Sequence, residues 1–449
     1  MEGKNQFIAA IDVGTTKIVS LLGKRNENNK LEVVGYARSS SRGIRRGEVL
    51  NPEEVSRVIR NVIIELQTQT GIIFSEVFVG IAGQHIRMVK DRKGFNRPIY
   101  EESITAAEVE QLKSEAQNIA LDEGKKILHV LPQSYIVDNE TDIVNPIGML
   151  GRRIEANFNV VVGNIDSIKR IEKSIALSEL TIKNIVLEPL ASADAVLHDE
   201  EREAGVALVD IGGGTTDIAI FHDNRLRHSA VFPYGGYVVT RDIKEACGLN
   251  EQVAEDLKVQ FGMALGEAIV EDKTIVIPAK IRGREPKEIS IRNLAHIIQA
   301  RMEEIIEGVM FEIENSGYAD RLGYGIVITG GGAMLRHLEQ LFRFNTGMDV
   351  RIGYPGEHLA GKSESINEPC YATGVGLLMK GFEYMDEHSW EMAEVKFMSK
   401  TPENEKPQQV FEPQQVVYDD ESLKRKSKFS LKGFKESIIS YFEEPESRM

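Results

Sequence analysis

Short apolar runs that end in an acidic residue and a glycine-rich turn recur along the chain. The clearest lies at residues 206–221, VALVDIGGGTTDIAIF, where three glycines and two threonines follow Asp210 and lead into a second β-type run. Because β-type residues resume directly after the turn, the pattern predicts a hairpin, whereas a Walker or dinucleotide loop would open a helix. Residues 8–22, IAAIDVGTTKIVSLL, repeat the arrangement around Asp12. A repeat at so long a spacing predicts two structurally related domains rather than a solenoid.

Apolar residues at helical spacing mark further segments. They predict helices at 52–70, 105–120, 167–178, 237–261 with a break near Gly248, and 294–316. Thr105 and Glu108 stand three residues apart and predict a capping box at the second of these helices. Two short strands are expected after it, at 127–130 and 134–137.

A third glycine cluster lies at residues 325–341, GIVITGGGAMLRHLEQL, where Gly330, Gly331 and Gly332 stand between a predicted strand and a predicted helix. A Rossmann-type interpretation is weighed here, but the G-x-G-x-x-G spacing is absent and no acid-tipped strand follows at the expected distance. Glycines without side chains are equally suited to pack against an adenine or ribose face.

The two hairpins carry the residue types that hold a polyphosphate. Glycines let backbone N–H groups approach phosphate oxygens closely, and threonine and lysine side chains add donors. The candidate phosphate contacts are Gly14, Thr15, Thr16, Lys17, Gly212, Gly213, Gly214, Thr215 and Thr216. Asp12 and Asp210 place carboxylates where they could bind a Mg²⁺ ion that those phosphates also coordinate. Two alternatives stay open. The glycines could serve only the geometry of the turns, and Lys17 could be a solvated strand residue without a phosphate contact.

Composition narrows the class of protein. The chain has 449 residues, too many for one core, and its net charge of −15 argues against a general nucleic-acid binder. Two cysteines, Cys247 and Cys370, give no disulfide framework and suit a reducing cytosol. No apolar run reaches the roughly 18 residues of a transmembrane helix, and the N-terminus lacks a signal-peptide pattern. The scattered histidines do not predict a zinc site.

The C-terminal part of the chain turns polar after about residue 385. Residues 401–415, TPENEKPQQVFEPQQ, predict a disordered linker. A basic segment then precedes residues 429–442, FSLKGFKESIISYF, whose apolar residues recur at helical spacing. Two interpretations stay open: a helix that docks on its own protein, and an interfacial anchor on an anionic membrane. The candidate membrane contacts are Lys424, Arg425, Lys426, Lys428, Phe429, Leu431, Phe434, Ile438, Tyr441 and Phe442.

The three glycine sites, in this order, resemble the actin-like ATPase superfamily over most of residues 7–385. The matching segments are two phosphate motifs at 12–17 and 210–217, an adenosine motif at 330–335, and connecting segments at 188–189 and 372–376. Within the superfamily the chain resembles the FtsA family of bacterial cell-division proteins. That closer resemblance is carried by IAAIDVGTTKI at the first hairpin, VGIAGQHI at 79–86, LEPLASADAVL at 187–197 and AEDLKVQFG at 254–262.

This resemblance implies an α/β, actin-like two-domain fold of duplicated RNase-H-like domains that binds ATP and Mg²⁺. Asp12 and Asp210 would hold the metal, largely through water. Glu255 and Lys258 would contact ribose and adenine, although their spacing also fits a plain surface ion pair. Glu188, which follows a predicted strand at 183–187, would position water or metal, or is a surface acid at a loop.

The implied domain organisation has two discontinuous halves, each with an insertion, followed by a tail. Its parts are a first actin-like domain at 1–83, 165–204 and 371–385, an FtsA-type subdomain at 84–164, a second actin-like domain at 205–236 and 321–370, its insertion at 237–320, a flexible linker at 386–428 and an amphipathic membrane-targeting helix at 429–442.

The resemblance further implies a peripheral protein on the cytoplasmic face of the cell membrane at the division septum. Such a protein polymerises head to tail, tethers the FtsZ ring and recruits other division proteins. Arg301 is the candidate contact for the C-terminal peptide of FtsZ. Because no residue stands out as an in-line base for water, any ATP hydrolysis is expected to be slow. The alternatives are a small-molecule kinase and a pilus-assembly or shape-determining actin homologue of the same superfamily.

Overall fold

The computed structural model describes residues 7–278, 285–361, 364–388 and 396–397. Most of the linker predicted at 386–428, the amphipathic segment at 429–442 and all the candidate membrane contacts lie outside the described residues.

Strands and helices alternate along the described chain. The strands are β1 (Phe7–Val13), β2 (Lys17–Arg25), β3 (Leu31–Ser40), β4 (Ile44–Arg45), β5 (Glu48–Val49), β6 (Ile72–Ile73), β7 (Glu76–Ile81), β8 (Arg87–Asn96), β9 (Lys125–Val137), β10 (Glu140–Ile143), β11 (Arg153–Asn164), β12 (Thr181–Leu187), β13 (Val206–Ile211), β14 (Thr216–His222), β15 (Arg225–Phe232), β16 (Thr274–Ile277), β17 (Lys287–Ser290), β18 (Ile326–Thr329), β19 (Val350–Ile352) and β20 (Lys396–Phe397). The α-helices are α1 (Pro52–Thr70), α2 (Ala106–Ala116), α3 (Ile165–Leu177), α4 (Glu188–Val196), α5 (Asp199–Ala204), α6 (Gly236–Cys247), α7 (Glu251–Phe261), α8 (Ile291–Ser316), α9 (Leu338–Thr346) and α10 (Ala372–His388).

Five strands form the first sheet, in the order β12-β7-β1-β2-β3. β1, β2 and β3 make an antiparallel meander, whereas β7 runs parallel to both β1 and β12. β1 is buried along its whole length, which explains its continuous apolar run. α1 packs on β2 and β3; Asn51 caps it by accepting from the N–H groups of Glu53 and Glu54, and Gly71 ends it with φ of 69°.

The second sheet repeats this plan, in the order β15-β14-β13-β18-β19. β13, β14 and β15 form the meander, and β18 runs parallel to both β13 and β19. The predicted pair of related α/β units is therefore confirmed.

A four-stranded antiparallel sheet, in the order β10-β9-β11-β8, lies between β7 and β12 in the chain and is covered by α2. The predicted capping box of Thr105 and Glu108 is present at the start of α2. The two short strands predicted at 127–130 and 134–137 are wrong, because β9 continues through both. A β-bulge at Gln133 takes up the break beside Pro132 while the flanking residues stay paired with β11.

Helices α4 and α10 lie against one another beside both sheets. α10 packs on β1, β2 and β7, while α4 also contacts β13 and β14. Gly376 of α10 approaches the carbonyl of Ala191 in α4 so closely that a methyl group there would collide. The joint between the two halves is thus a closely packed helix pair.

Candidate functional site

The two hairpin turns face one another across a small inner cavity of about 90 Å³. Its lining residues come from both turns, the start of α4, the third glycine cluster and the start of α10. They are Asp12, Val13, Gly14, Thr15, Thr16, Lys17, Gly47, Ala82, Glu188, Asp210, Gly212, Gly213, Gly214, Thr215, Asp217, Gly330, Gly331, Pro369, Cys370 and Thr373. The structure therefore brings most of the sequence-predicted residues together from distant parts of the chain.

The tips of the two turns touch. Gly213 lies against the side chain of Thr16, and Gly214 lies against that of Thr15, so closely that a Cβ on either glycine would clash. The inner cavity is small because of this contact. A polyphosphate enters it only if the two tips move apart.

Four acids and one cation, Lys17, stand among the described residues that line this cavity. Asp12 is the penultimate residue of β1, and Asp210 and Asp217 face each other on β13 and β14. Glu188 is the first residue of α4, where Gly80 of β7 makes room for its side chain. The expectation of a loop at Glu188 is wrong, because the strand passes directly into a helix with Pro189 in its first turn.

Burial and mutual repulsion raise the pKa values of these acids and so favour their protonated forms. Burial raises the pKa of Asp12 to about 6, against the opposing charge of Lys17 and with a further contribution from Asp210. Burial also raises the pKa of Glu188 and that of Asp217 well above their ordinary values, and the neighbouring carboxylates add to both shifts. A cation bound among these acids would favour their ionised forms instead.

The donor set fits a divalent cation held with phosphate or water oxygens. In the described part of the chain, Oδ1 of Asp217 is buried and accepts no hydrogen bond, so a ligand atom is left to be satisfied. Among the described residues, no three acidic, histidine or cysteine side chains converge closely enough to hold a metal ion by themselves. Mg²⁺ commonly keeps several waters and binds through one or two carboxylates plus substrate phosphates, so it does not need three converging protein ligands.

Hydrogen bonds connect the acids to both connecting helices. Asp210 Oδ2 accepts from Ser192 Oγ of α4 at 2.9 Å and from Thr373 Oγ1 of α10 at 3.4 Å. Lys17 Nζ donates to the carbonyl of Cys370 at 2.5 Å and lies 4.9 Å from the ring centroid of Tyr371. Asp210 is therefore bonded to both helices of the pair, and Lys17 is bonded to the segment just before α10.

Three acidic or hydroxyl side chains of this site, those of Asp217, Ser192 and Thr373, are not among the residues predicted from the sequence. Asp217 lies inside the second hairpin motif, and its position opposite Asp210 in the β13–β14 register is the signal that could have identified it. Ser192 and Thr373 carry no such signal, because only folding brings their hydroxyl groups to their common partner, Asp210.

Four predicted residues do not line the inner cavity. Thr216 is buried and donates its hydroxyl to the carbonyl of Tyr234 at 2.8 Å. Gly332 packs against Ile211 of β13. Glu255 and Lys258 form an ion pair of 2.7 Å on α7.

Lys258 is tied to the start of α6. Its Nζ donates to the carbonyl of Gly236 at 2.9 Å and to Thr240 Oγ1 at 2.7 Å. Burial lowers the pKa of Lys258, against the opposing effect of Glu255. The pair therefore lies beside the second hairpin rather than in the cavity.

The third glycine cluster meets Asp210 directly. Gly330 has φ of 82°, and a Cβ there would collide with Asp210 Oδ1, so both conformation and space require glycine. The expected helix directly after the glycines is wrong: Gly331–Met334 form a 3₁₀ turn, and α9 begins only at Leu338. The cluster thus forms a flat wall next to the acids.

Arg301 lies on α8, away from the cavity. Its Nε donates to Asp242 Oδ2 of α6 at 2.6 Å, and its guanidinium also pairs with Glu304. These carboxylates raise the pKa of Arg301. Its charge is already paired within the chain.

Within the described ranges, no helix has both the length and the apolar character that a membrane span requires.

Comparisons with known proteins agree with this architecture. The family model described as cell division protein FtsA matches residues 207–376, and that of the SHS2 domain inserted in FtsA matches residues 83–162. The cell division protein FtsA of Pseudomonas aeruginosa is 38% identical over 378 residues, which cover 84% of this chain and 90% of that protein.

Solved structures of other actin-like proteins share the fold. A PilM-PilN type IV pilus biogenesis complex superposes with a TM-score of 0.59 at 14% identity, covering 83% of this chain and 98% of that chain. MreB5 of Spiroplasma citri bound to ADP superposes with a TM-score of 0.50 at 15% identity, covering 86% and 98%. At these identities the likeness shows the fold alone, whereas the similarity to the Pseudomonas protein shows the family. This chain belongs to the FtsA family of cell division proteins.

Proposed function

We propose that this chain binds Mg-ATP between its two halves and uses the bound state to control self-assembly on the cytoplasmic face of the cell membrane. There it tethers the FtsZ ring and recruits other division proteins to the septum. The observation that carries the proposal is the pair of facing hairpins with four acids between them, of which Asp12, Asp210 and Asp217 are buried. Family membership and the basic, amphipathic tail sequence support it.

The two hairpins would hold the phosphates from opposite sides. The proposed donors are the backbone N–H groups of Gly14, Gly213 and Gly214, the hydroxyls of Thr15, Thr16 and Thr215, and Lys17. The N–H of Gly212 already donates to the carbonyl of Thr215 at 2.9 Å, so Gly212 contributes its lack of a side chain. The hydroxyl of Thr216 donates to the carbonyl of Tyr234, so Thr216 could contact the phosphates only through its backbone. Bound Mg²⁺ would neutralise phosphate charge, and Asp12, Asp210 and Asp217 would hold it largely through water.

The nucleoside end would lie toward the third glycine cluster. Gly330 and Gly331 line the cavity and present a surface without side chains. The superfamily places ribose and adenine contacts at Glu255 and Lys258, which here are paired with each other beside the second hairpin. Their proposed role therefore requires the ion pair to open toward the ligand.

Glu188 is the proposed positioning group for an attacking water. Burial, together with the neighbouring carboxylates, raises the pKa of Glu188 well above its ordinary value and favours the protonated acid in the ligand-free cleft. A bound cation would lower that pKa and allow the ionised form to orient water. Since positioning and charge stabilisation are the available contributions, we expect slow turnover.

The partner sites are proposed from the family and from sequence. The segment at 237–320 would receive the C-terminal peptide of FtsZ, with Arg301 as a contact once its pairing with Asp242 is exchanged. The anchor would be residues 424–442, which lie outside the described residues. Head-to-tail contacts between copies would form the filament.

Sedimentation with vesicles tests this proposal. Full-length chain, Mg-ATP and FtsZ are mixed with vesicles of anionic lipid, and the pellet is analysed. We expect FtsZ to pellet only when the full-length chain is present. A variant lacking residues 424–449 should leave FtsZ in the supernatant while still binding ATP, because the basic and apolar contacts to lipid are gone. Unchanged pelleting of the truncated chain would contradict the anchor, and phosphate transfer to a sugar without any pelleting would indicate a kinase.

A further inference from the structure

A second, outer cavity of about 400 Å³ lies on the far side of the touching hairpin tips. Thr15, Thr16, Gly213 and Gly214 line both cavities, so the tips form the wall between them. If the tips separate, the inner and outer cavities become continuous.

Three arginines line the outer cavity. Arg45 and Arg46 come from the β4–β5 turn of the first half, and Arg241 comes from α6 of the second half. In the described part of the chain no ion pair involves Arg45 or Arg46, and the nearby Glu48 instead approaches Arg170 at 3.4 Å. Arg241 pairs with Glu245, one turn further along α6, at 3.6 Å. In a chain with a net charge of −15, such a cluster of cations is a specific local feature.

The segments that carry these arginines are each hydrogen-bonded to one hairpin tip. The N–H of Gly47, next to Arg46, donates to Thr15 Oγ1 at 2.9 Å. At the start of α6, the N–H of Gly236 donates to Gly212 O at 2.9 Å and that of Tyr237 to Gly213 O at 2.7 Å. A ligand that binds the arginines of both halves would therefore act on the position of both tips.

We propose that the outer cavity is a binding site for a phosphate-sized dianion, held by Arg45 and Arg46 from one half and Arg241 from the other. This inference rests on the proposed function, because the inner cavity would hold the terminal phosphate of ATP. In hydrolysis a water oxygen bonds to the terminal phosphorus, and the bond to the bridging oxygen breaks. ADP keeps that electron pair, and a proton goes to solvent. The resulting inorganic phosphate leaves through the parted tips into the outer cavity.

Guanidinium groups suit this ligand. They bind phosphate through paired N–H donors, and charge-assisted bonds of this kind are stronger than neutral ones. Phosphate from solution has the same chemistry, so it would bind the same cations. The experiment must therefore separate product phosphate from free phosphate.

The test uses the full chain with Mg-ADP bound. Equilibrium dialysis with ³²P-labelled inorganic phosphate measures binding from solution, and single turnover of ATP labelled in its terminal phosphate compares cleavage with release. We expect wild type to bind phosphate and to release product later than it cleaves ATP. Arg45→Ala/Arg46→Ala, and separately Arg241→Ala, should weaken phosphate binding by about tenfold and shorten the delay. Arg42→Ala, from the same segment but outside the cavity lining, is the matched control and should behave as wild type.

Mg-ADP affinity is measured on every variant and should not change. The inference would be overturned if wild type does not bind phosphate, or if the arginine variants bind and release phosphate as Arg42→Ala does. Either result would leave the proposed function intact. Loss of self-assembly with unchanged phosphate binding would also overturn it, and would assign the arginines to a protein contact. If wild type fails to bind Mg-ADP, the proposed function itself is wrong and this inference falls with it.

Discussion

The buried carboxylate of Asp12 links folding stability to cation binding. Burial raises its pKa from 3.8 to about 6, despite the opposing charge of Lys17. Between these two values the folded chain holds a proton that the unfolded chain releases. The contribution of Asp12 to stability is therefore complete below about pH 4 and is lost as the pH rises through about 6.

Replacing the acid by its neutral isostere should remove this pH dependence. Asp12→Asn should stabilise the nucleotide-free chain by about 1–3 kcal/mol at about pH 7.5 and change it little at about pH 4. Urea unfolding at the two pH values, without Mg²⁺, measures the effect. Asp122→Asn, at an exposed position, is the control and should show no such difference. A destabilised Asp12→Asn at the higher pH would contradict the predicted cost of burying the ionised Asp12 carboxylate.

A substitution at Gly213 tests whether the close contact between the two hairpin tips matters for ATP binding. A methyl group on Gly213 would clash with the side chain of Thr16, so Gly213→Ala should hold the two hairpins apart. The methyl group would also occupy space that the phosphates need between the parted tips, so we expect Mg-ATP affinity to fall by about tenfold or more. Gly308→Ala, in α8, meets its nearest neighbour at an ordinary 3.4 Å and should leave the affinity unchanged. Equal affinities for the two variants in a fluorescent-nucleotide titration would refute the contact.

Individual residues were predictable where their role is local. Asp12 and Asp210 stand at the ends of apolar strands, and the following turn chemistry is contained within a few residues. The partner of Lys17 was not predictable, because Cys370 lies 353 positions away and offers only its carbonyl. Arg301 illustrates the same limit: its pairing with Asp242 depends on how α6 packs on α8.

At the scale of elements, the inserted subdomain of β8–β11 and α2 contacts both halves. On the first half, the N–H of Leu187, just before Glu188, donates to His129 Nε2 at 3.0 Å. On the second half, Asn159 of β11 donates to the carbonyls of Leu226 and Arg227 in β15, at 3.1 Å and 3.4 Å. Nothing in the local pattern of the insertion predicts these contacts, because they join elements that are remote in sequence.

Asn159 should therefore contribute more to stability than its neighbour Asn157. Asn159→Ala removes a buried donor to the second half and should lower the free energy of unfolding by about 1–3 kcal/mol. Asn157→Ala removes only a 3.0 Å bond to Ser134 Oγ inside the same subdomain, and should cost about 1 kcal/mol or less. Urea unfolding of both variants compares them. If Asn157→Ala is the more destabilising change, the contact between the subdomain and β15 is not important for stability.

Across the whole molecule, two sheets of the same topology meet at a helix pair, and the hairpins close the space beside it. The duplicated strand patterns were sufficient to predict the two units, because each pattern reports a local strand and turn. The closed tips and the arginine-lined outer cavity were not predictable, since they depend on the angle between the halves. That angle is set by packing such as Gly376 against Ala191.

In the proposed complex, one acid from each half holds the cation that accompanies ATP. Calorimetric titration of ATP into the full-length chain, with and without Mg²⁺, tests it most directly on wild type, Asp12→Asn and Asp210→Asn. We predict that Mg²⁺ strengthens ATP binding by wild type, and that either substitution removes most of that gain, about tenfold or more. Wild-type affinity that is indifferent to Mg²⁺, or a Mg²⁺ effect that survives both substitutions, would contradict the account.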